Sequence, residues 1–205
     1  MLTCHPEPFW NGNDMDPLIK FRHWLSEELE ISKDRIPSAC CLSTIGTDGY
    51  PNARFVALKE LKDNNFIITG SLSSRKGMEL ALVNQVALTF WWTASGRQIR
   101  IQGKAKILER DEADKYFAER NRESQIVSMV SQQGQPLPNP EVLNRTYEEI
   151  KSRYADQTLP RPEDWGGYAI EPLRIEFLDF KPTRFHDRIL YERINGEWKK
   201  TRLQP

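Results

Sequence analysis

The stretch that most constrains the fold is residues 97–108, RQIRIQGKAKIL, in which apolar and polar side chains alternate. One face of an extended chain would carry Ile99, Ile101, Ala105 and Ile107. The opposite face would carry Gln98, Arg100, Gln102 and Lys104. This period of two predicts a half-buried strand of an antiparallel sheet. Ordinary solvent exposure explains the polar face equally well, so alternation alone assigns it no ligand.

Short apolar runs separated by turn signals predict the rest of the sheet. We expect strands at 39–45, 52–61, 66–69, 86–92, 168–180, 184–194 and 197–203. Asp48-Gly49 and Asn195-Gly196 are turn dipeptides, and the latter is typical of a tight hairpin. The early strands follow one another as a meander, which indicates antiparallel pairing.

Helical segments lie between and around these strands. Asp16 and Pro17 predict the start of a helix over 17–30, and Ser73 or Ser74 can begin one through 76–84 with Met78 and Leu82 facing the core. Further helices are expected over 111–120, 122–131 and 141–154. The pattern favours one α+β domain over 1–205, a closed or split antiparallel barrel with peripheral helices, and a flexible arm over 1–15.

Composition excludes several classes of protein. Lys and Arg total 29, as do Asp and Glu, so no basic excess favours a nucleic-acid partner. The chain has no apolar run long enough to cross a membrane and no secretion signal, so a cytoplasmic location is expected. Three cysteines and three scattered histidines give neither a disulfide framework nor metal-ligand spacing.

The sequence SSRKG at 73–77 is the strongest indication of a ligand. A serine-rich turn that enters a helix offers free backbone N–H groups and the positive end of a helix dipole to an anion. Arg75 and Lys76 place two more positive charges at this end, where cations are otherwise unfavourable. Two solvated basic side chains remain the alternative.

Three other segments carry groups that bind anions. Arg54 and Lys59 bracket an apolar run and would point to opposite faces unless the strand bends or serves two ligands. In RFHDR, a regular strand would place Arg184, His186 and Arg188 on one face. On a continuous helix, three donors four residues apart would share one face: Tyr116, Arg120 and Ser124.

Taken together, these segments resemble the pyridoxamine 5′-phosphate oxidase family. The resemblance runs from about Asp16 to Pro205 in RFVALK, SRKG, GRQIRIQGKA, KYFAERNRESQI, VSQQ, WGGY, IEF, RFHDRILY and WKKTRLQP. It implies an FMN-binding split barrel that forms a homodimer with FMN at the interface. The implied reaction is oxidation of pyridoxamine or pyridoxine 5′-phosphate by O2, which yields pyridoxal 5′-phosphate and H2O2, and ammonia from the amine.

The resemblance also implies roles for individual residues. The FMN contacts would be Arg54, Phe55, Val56, Ala57, Leu58, Lys59, Thr69, Gly70, Arg75, Lys76, Gln98, Gln133, Gly134, Leu178 and Arg188. The substrate contacts would be Lys59, Tyr116, Arg120, Ser124, Arg184, Phe185 and His186. Arg184 and His186 would hold the pyridine for reaction as the catalytic pair, and no metal is implied.

Four features depart from the family pattern. Leu178 replaces a tryptophan, Thr69-Gly70 replaces an aromatic-threonine pair, Gly134 replaces a serine, and no arginine-tyrosine segment precedes Asp16. Two alternatives therefore remain open. One is a related FMN oxidase with another substrate, such as a phenazine precursor, and the other is a flavin- or pyridoxal-phosphate-binding protein with little turnover.

Overall fold

The computed structural model describes residues 16–205, so the arm predicted over 1–15 lies outside the described residues. The helices are α1 (Pro17–Ile31), α2 (Arg75–Leu82), α3 (Arg110–Ala118), α4 (Arg122–Val130) and α5 (Pro140–Arg153). The strands are β1 (Ala39–Ile45), β2 (Pro51–Ala57), β3 (Glu60–Lys62), β4 (Asn65–Ser71), β5 (Gln85–Trp92), β6 (Arg97–Ile107), β7 (Trp165–Asp179), β8 (Asp187–Ile194) and β9 (Glu197–Leu203).

All described strands join one antiparallel sheet. The sheet divides into two halves along β7, which is shared by both. One edge of this 15-residue strand pairs with β6. The other edge pairs with β4 over 165–170 and then with β8 over 174–179. The sheet order is β2-β1-β5-β6-β7-β4-β3, with β8 and β9 branching from β7. One long strand thus belongs to two halves of a curled, split barrel.

A bulge at Gly103 lets β6 follow this curl. The β6–β7 register shifts between Gln102 and Gly103. A Cβ at Gly103 would lie 2.2 Å from the carbonyl oxygen of Glu171, so only glycine fits this close approach of two backbones.

The main core lies between the concave face of the sheet and α1. Phe21 is fully buried, and its ring centroid lies 4.8 Å from Phe66 and 5.1 Å from Phe90. Trp24 packs edge-on against Phe177 at 5.1 Å. As predicted, Asp16 caps this helix, because its Oδ1 accepts a hydrogen bond from the Leu18 amide at 2.7 Å. The cap fixes where the helix begins and therefore which face packs on the sheet.

A smaller core holds α3 and α4 against the outer side of β4 and β7. It comprises Ile67, Leu108, Tyr116, Phe117, Ile126, Leu159 and Trp165. The rings of Phe117 and Trp165 meet edge-on at 5.2 Å. This packing positions the segment around residues 116–128, which carries several of the predicted ligand groups.

Three predictions about strand bounds and core packing are wrong. The strand expected over 52–61 breaks at Leu58 and Lys59 into β2 and β3. On α2, Met78 and Leu82 are 46% and 73% exposed, whereas Lys76 and Glu79 are buried. Ile107 is also exposed, although alternation placed it in the core.

Candidate functional site

A tight turn presents the start of α2, where the sequence predicted an anion site. Ser74 occupies the N-cap position, and its hydroxyl donates to the Ser71 carbonyl at 2.7 Å. A Cβ at Gly77 would lie 2.0 Å from the Leu72 carbonyl oxygen, so glycine is required for the turn to fold back on the helix. The first-turn amides of a helix lack partners within the helix, and the side chain of the N-cap residue Ser74 makes no capping hydrogen bond to those of α2.

Lys76 is a buried cation at this helix start. Lys76 is only 8% exposed, and its Nζ donates to Ser74 Oγ at 2.8 Å and to Gln133 Oε1 at 2.9 Å. Within residues 16–205 no carboxylate forms an ion pair with it. Burial, reinforced by the nearby charge of Arg54, lowers the pKa of Lys76. A buried cation with only neutral partners is expensive unless an anion joins it.

Glu79, one turn further along α2, is a site residue that the sequence reasoning missed. Its fully buried carboxylate accepts hydrogen bonds from Thr44 Oγ1 (2.6 Å), Asn52 Nδ2 (2.8 Å), Arg54 Nη2 (2.6 Å) and Arg75 Nε (3.0 Å). Burial alone would raise the pKa of this carboxyl, but the four hydrogen bonds outweigh it and lower the pKa to about 2. These five residues form the Glu79 cluster.

The Glu79 cluster holds two of the cations predicted to contact FMN. The Arg54 guanidinium also donates to Thr44 Oγ1 at 2.6 Å and to the Leu42 carbonyl at 3.2 Å. Arg75 also pairs with Asp48 at 3.1 Å and is 58% exposed at its side chain. Arg75 and Glu79 are four residues apart, a spacing at which opposite charges can pair on a helix, so the sequence did contain a signal for this contact. Nothing local in the sequence connects Glu79 to the strands that carry Thr44, Asn52 and Arg54.

Gln98, Leu178 and Arg188 form a separate group on the convex face of the sheet. Gln98 lies opposite Leu178, and Leu178 lies opposite Arg188 in the strand register. Arg54 lies opposite Leu42 on β1, and the same row of paired residues continues through Leu88, Ile101 and Ile175. On β6, Ile101 of this row and Gln98 are an odd number of positions apart, as are Ile175 and Leu178 on β7. The two groups therefore project from opposite faces of the sheet.

A second buried carboxylate, that of Glu176, holds the Arg188 guanidinium in place. Its Nε and Nη2 lie 2.9 and 2.6 Å from Glu176 Oε1, and Arg100 Nη2 lies 3.1 Å from Glu176 Oε2. Glu176 is 3% exposed although it lies on the convex face. Across β6, β7 and β8 this face thus carries an ion-paired network and is more than a solvated surface.

The predicted substrate groups on α3 and α4 do not share one helix face. Helix α3 ends at Ala118, and α4 begins at Arg122 after Asn121, whose side chain caps the Ser124 amide at 2.8 Å. The two helices predicted over 111–120 and 122–131 are therefore confirmed as α3 and α4, and Asn121 followed by Glu123 is the N-terminal signal that separates them. The single face that one continuous helix would have given the three donors does not form. Tyr116 lies in α3, Arg120 in the short connection, and Ser124 in the first turn of α4.

Lys59, Tyr116, Glu60 and Glu119 form the Lys59 cluster. Lys59 Nζ lies 2.8 Å from Glu119 Oε2 and 5.8 Å from the Tyr116 ring centroid. The Tyr116 hydroxyl donates to Glu60 Oε1. Burial, and then the hydrogen bond to Glu60, raise the pKa of Tyr116. Both predicted donors thus already have a carboxylate partner.

Arg120 differs from Lys59 in having no carboxylate within ion-pair distance among the described residues. Its guanidinium donates to Ser128 Oγ and lies 5.0 Å from the Trp165 ring centroid. Burial lowers the pKa of Arg120. It is a partly buried cation oriented by an aromatic face and a hydroxyl.

Arg184, Phe185 and His186 lie in a turn, because β8 begins only at Asp187. Arg184 has a φ of 68°, and its amide donates to the Lys181 carbonyl at 3.0 Å. The alternation predicted for 184, 186 and 188 is therefore wrong for its first two members. His186 Nδ1 accepts a hydrogen bond from the Lys181 amide at 3.0 Å, which leaves Nε2 as the N–H donor of the neutral ring.

The other predicted FMN contacts differ in their surroundings. Gly70 lies next to Lys76, because a Cβ there would be 3.3 Å from Nζ. Gly134 follows Gln133 with a φ of 86°, a conformation that glycine adopts without strain. Leu58 is buried, whereas Phe55 is 78% exposed on the convex face. The remaining contacts, Val56, Ala57 and Thr69, lie on the strands beside these residues.

Among residues 16–205, none of the helices combines the length and the hydropathy that a membrane-spanning helix requires. No group of three or more His, Cys, Asp and Glu side chains there could hold a metal ion.

Known structures with this architecture define its class. The crystal structure of PhzG from Burkholderia lata 383, in complex with tetrahydrophenazine-1-carboxylic acid, matches with a TM-score of 0.89 and 32% identity over 95% of each chain. A pyridoxamine 5′-phosphate oxidase-related, FMN-binding protein from Nostoc punctiforme shares the fold, with a TM-score of 0.75 and 13% identity over 90% of this chain and 97% of that one. The fold is that of the FMN-binding split barrels.

Sequence relatives narrow the class to a family. A family profile described as pyridoxamine 5′-phosphate oxidase matches residues 34–154, and one described as pyridoxine 5′-phosphate oxidase C-terminal dimerisation region matches residues 165–205. Proteins named pyridoxine/pyridoxamine 5′-phosphate oxidase from Gloeothece citriformis and Nostoc punctiforme are 39% and 40% identical, over 93% and 94% of this chain and 89% and 90% of theirs. The chain belongs to the pyridoxamine 5′-phosphate oxidase family.

Proposed function

We propose that the protein is an FMN-dependent oxidase that converts pyridoxine or pyridoxamine 5′-phosphate to pyridoxal 5′-phosphate with O2. The observation that carries the proposal is the setting of Lys76. It is buried at the start of a helix, is bound only to Ser74 and Gln133, and has no carboxylate partner among the described residues. That setting suits a phosphate group, which would supply the missing negative charge.

FMN suits this part of the site at its phosphate end. Lys76, Ser74 and the first-turn amides of α2 would hold the phosphate, with Arg75 at the exposed rim and Gln133 beside Lys76. Arg54 would face the cofactor with its guanidinium fixed by Glu79 and Thr44. When bound, the flavin supplies the redox chemistry by accepting a hydride from the substrate and passing the electrons to O2.

The separation of the predicted contacts supports a homodimer. Arg54 and the convex-face group Gln98, Leu178 and Arg188 project from opposite faces of one sheet. A single chain would therefore have difficulty surrounding one flavin with both sets. A second copy could supply the convex-face group, in agreement with the dimerisation region matched by residues 165–205.

The substrate would be held by groups from two parts of the chain. Arg120 and Lys59, with Tyr116 and Ser124, would receive the phosphate. Arg184, Phe185 and His186 would contact the pyridine from the turn before β8. With Nδ1 of His186 accepting the Lys181 amide, Nε2–H remains to donate to a substrate oxygen. These residues would orient the substrate and exclude water from it.

A second candidate is oxidation of an aromatic carboxylic acid without a phosphate. Two observations favour it. The Burkholderia lata protein, bound in its crystal structure to tetrahydrophenazine-1-carboxylic acid, is 32% identical over 95% of this chain. Lys59 and Tyr116, proposed to bind phosphate, already have Glu119 and Glu60 as partners.

Peroxide release by the FMN-loaded protein separates these candidates. We expect H2O2 in a 1:1 ratio to pyridoxal 5′-phosphate when pyridoxine 5′-phosphate is added in air, and little with unphosphorylated pyridoxine. Turnover of a reduced phenazine carboxylic acid, with none of the phosphorylated vitamers, would instead establish the second candidate. A yellow protein that oxidises neither would contradict both and leave a flavin-binding role.

A further inference from the structure

The groups proposed to receive the substrate phosphate are not equally available. Lys59 is paired with Glu119 at 2.8 Å, and the Tyr116 hydroxyl donates to Glu60. Arg120 has no such carboxylate partner within the described chain. An incoming phosphate would therefore find one available cation and one whose charge is already balanced.

The partner of Lys59 can be exchanged at little cost. The Glu119 side chain is 57% exposed, so its carboxylate can turn into water without being buried unpaired. Ion pairs with this much exposure contribute little to stability. Glu119 is also the C-cap residue of α3, where the negative end of the helix dipole repels a carboxylate. Lys59 offsets that repulsion, so the pair forms in the absence of a competing anion.

The neighbouring pair differs from this one. Tyr116 is only 6% exposed, so its hydroxyl would be left without a partner if it released Glu60. Tyr116 is therefore a fixed element of the site, and the Lys59–Glu119 pair is its exchangeable element.

We propose that Glu119 is a specificity-determining residue, an exchangeable counter-ion of Lys59 that a substrate phosphate must displace. It thereby reduces the preference of the site for phosphorylated over unphosphorylated pyridines. This inference rests on the proposed function, because it takes Lys59 as a phosphate ligand.

The test measures binding to the FMN-loaded protein by calorimetry, with two ligands that cannot be oxidised. These are 4-deoxypyridoxine 5′-phosphate and its dephosphorylated form, 4-deoxypyridoxine. Glu119→Gln, at the C-cap of α3, is compared with Glu112→Gln, a matched control that removes one carboxylate from the first turn of that helix. Glu112 pairs with Lys62, not with Lys59.

We expect Glu119→Gln to bind the phosphorylated ligand about two- to tenfold more tightly, because a competing and repelling charge is gone. Binding of 4-deoxypyridoxine should not change, and Glu112→Gln should leave the ratio of the two affinities near that of the wild type. In a Lys59→Met background, Glu119→Gln should lose most of its effect, since the pair it breaks no longer exists.

Equal tightening in both glutamine variants would overturn the inference, because it would reveal only a change in overall charge. Unchanged or weaker phosphate binding in Glu119→Gln would also overturn it. The peroxide assay judges the proposed function separately. An inactive protein would refute the oxidase, and the affinity ratio would still decide the role of Glu119.

Discussion

The Glu79 cluster and the Lys59 cluster both pair cations with carboxylates, but they differ in burial. Glu79 is fully buried and accepts four hydrogen bonds, whereas Glu119 is more than half exposed and meets one ammonium group. A buried carboxylate that loses its partners is left uncompensated, while an exposed one is rehydrated. The first arrangement would fix the proposed cofactor side of the site, and the second would leave the proposed substrate side able to exchange partners.

The largest expected effect comes from Glu79→Gln. Loss of the charge leaves Arg54 and Arg75 without their shared carboxylate, and we expect the free energy of unfolding to fall by about 3 kcal/mol. Urea unfolding measures it. Glu119→Gln is the matched control and should change stability by less than about 1 kcal/mol. Similar losses in both variants would show that burial does not separate the two clusters.

Acid should weaken the Glu79 cluster in a defined range of pH. The pKa of Glu79 is lowered from 4.5 to about 2, so its contribution is fully present above the unfolded-state pKa and is lost as pH falls towards the folded-state pKa. The stability difference between the wild type and Glu79→Gln should therefore shrink between about pH 4.5 and 2. Urea unfolding at intervals of pH measures the difference, and a constant difference across that range would contradict the role given to its ionised form.

A somewhat smaller effect, on cofactor affinity, is expected from Lys76→Met. Loss of a charge-assisted contact to phosphate should weaken FMN binding by about 2 kcal/mol, or roughly 30-fold. The apo-protein should be as stable as the wild type or more so, because an unpaired buried cation has been removed. Fluorescence titration with FMN and thermal unfolding check the two parts. Lys106→Met, on an exposed side chain, is the control.

The smallest effects separate the two sides of the site. Arg75→Ala should weaken FMN binding by about 1 kcal/mol, since its side chain is largely exposed, and should leave KM for pyridoxine 5′-phosphate nearly unchanged. Arg184→Ala should raise KM or lower kcat while FMN affinity stays the same. FMN titration and steady-state kinetics of both variants test this division. Equal effects of each variant on both quantities would disprove it.

Much of the fold could be predicted from local sequence signals. Period-two alternation located β6, and Asp16-Pro17 located the start of α1. Asn195-Gly196 gave the β8–β9 hairpin, where both residues have positive φ. These signals are readable because each depends on the backbone preferences of a few adjacent residues. The cations of SSRKG also indicated an anion site, and the buried, carboxylate-free Lys76 supports that interpretation.

What the sequence alone determined was therefore most of the strands, the helix starts and the likeness to an oxidase family. Only the tertiary structure decided how the charges are used. Folding brings Glu79 from a helix to Arg54, Asn52 and Thr44 on two strands, and it turns Lys76 inward while Met78 faces solvent. It also gives Lys59 and Tyr116 their carboxylate partners and places Arg184 in a turn. The physical reason is that the burial and pairing of a side chain depend on residues distant in the chain, which local periodicity does not report.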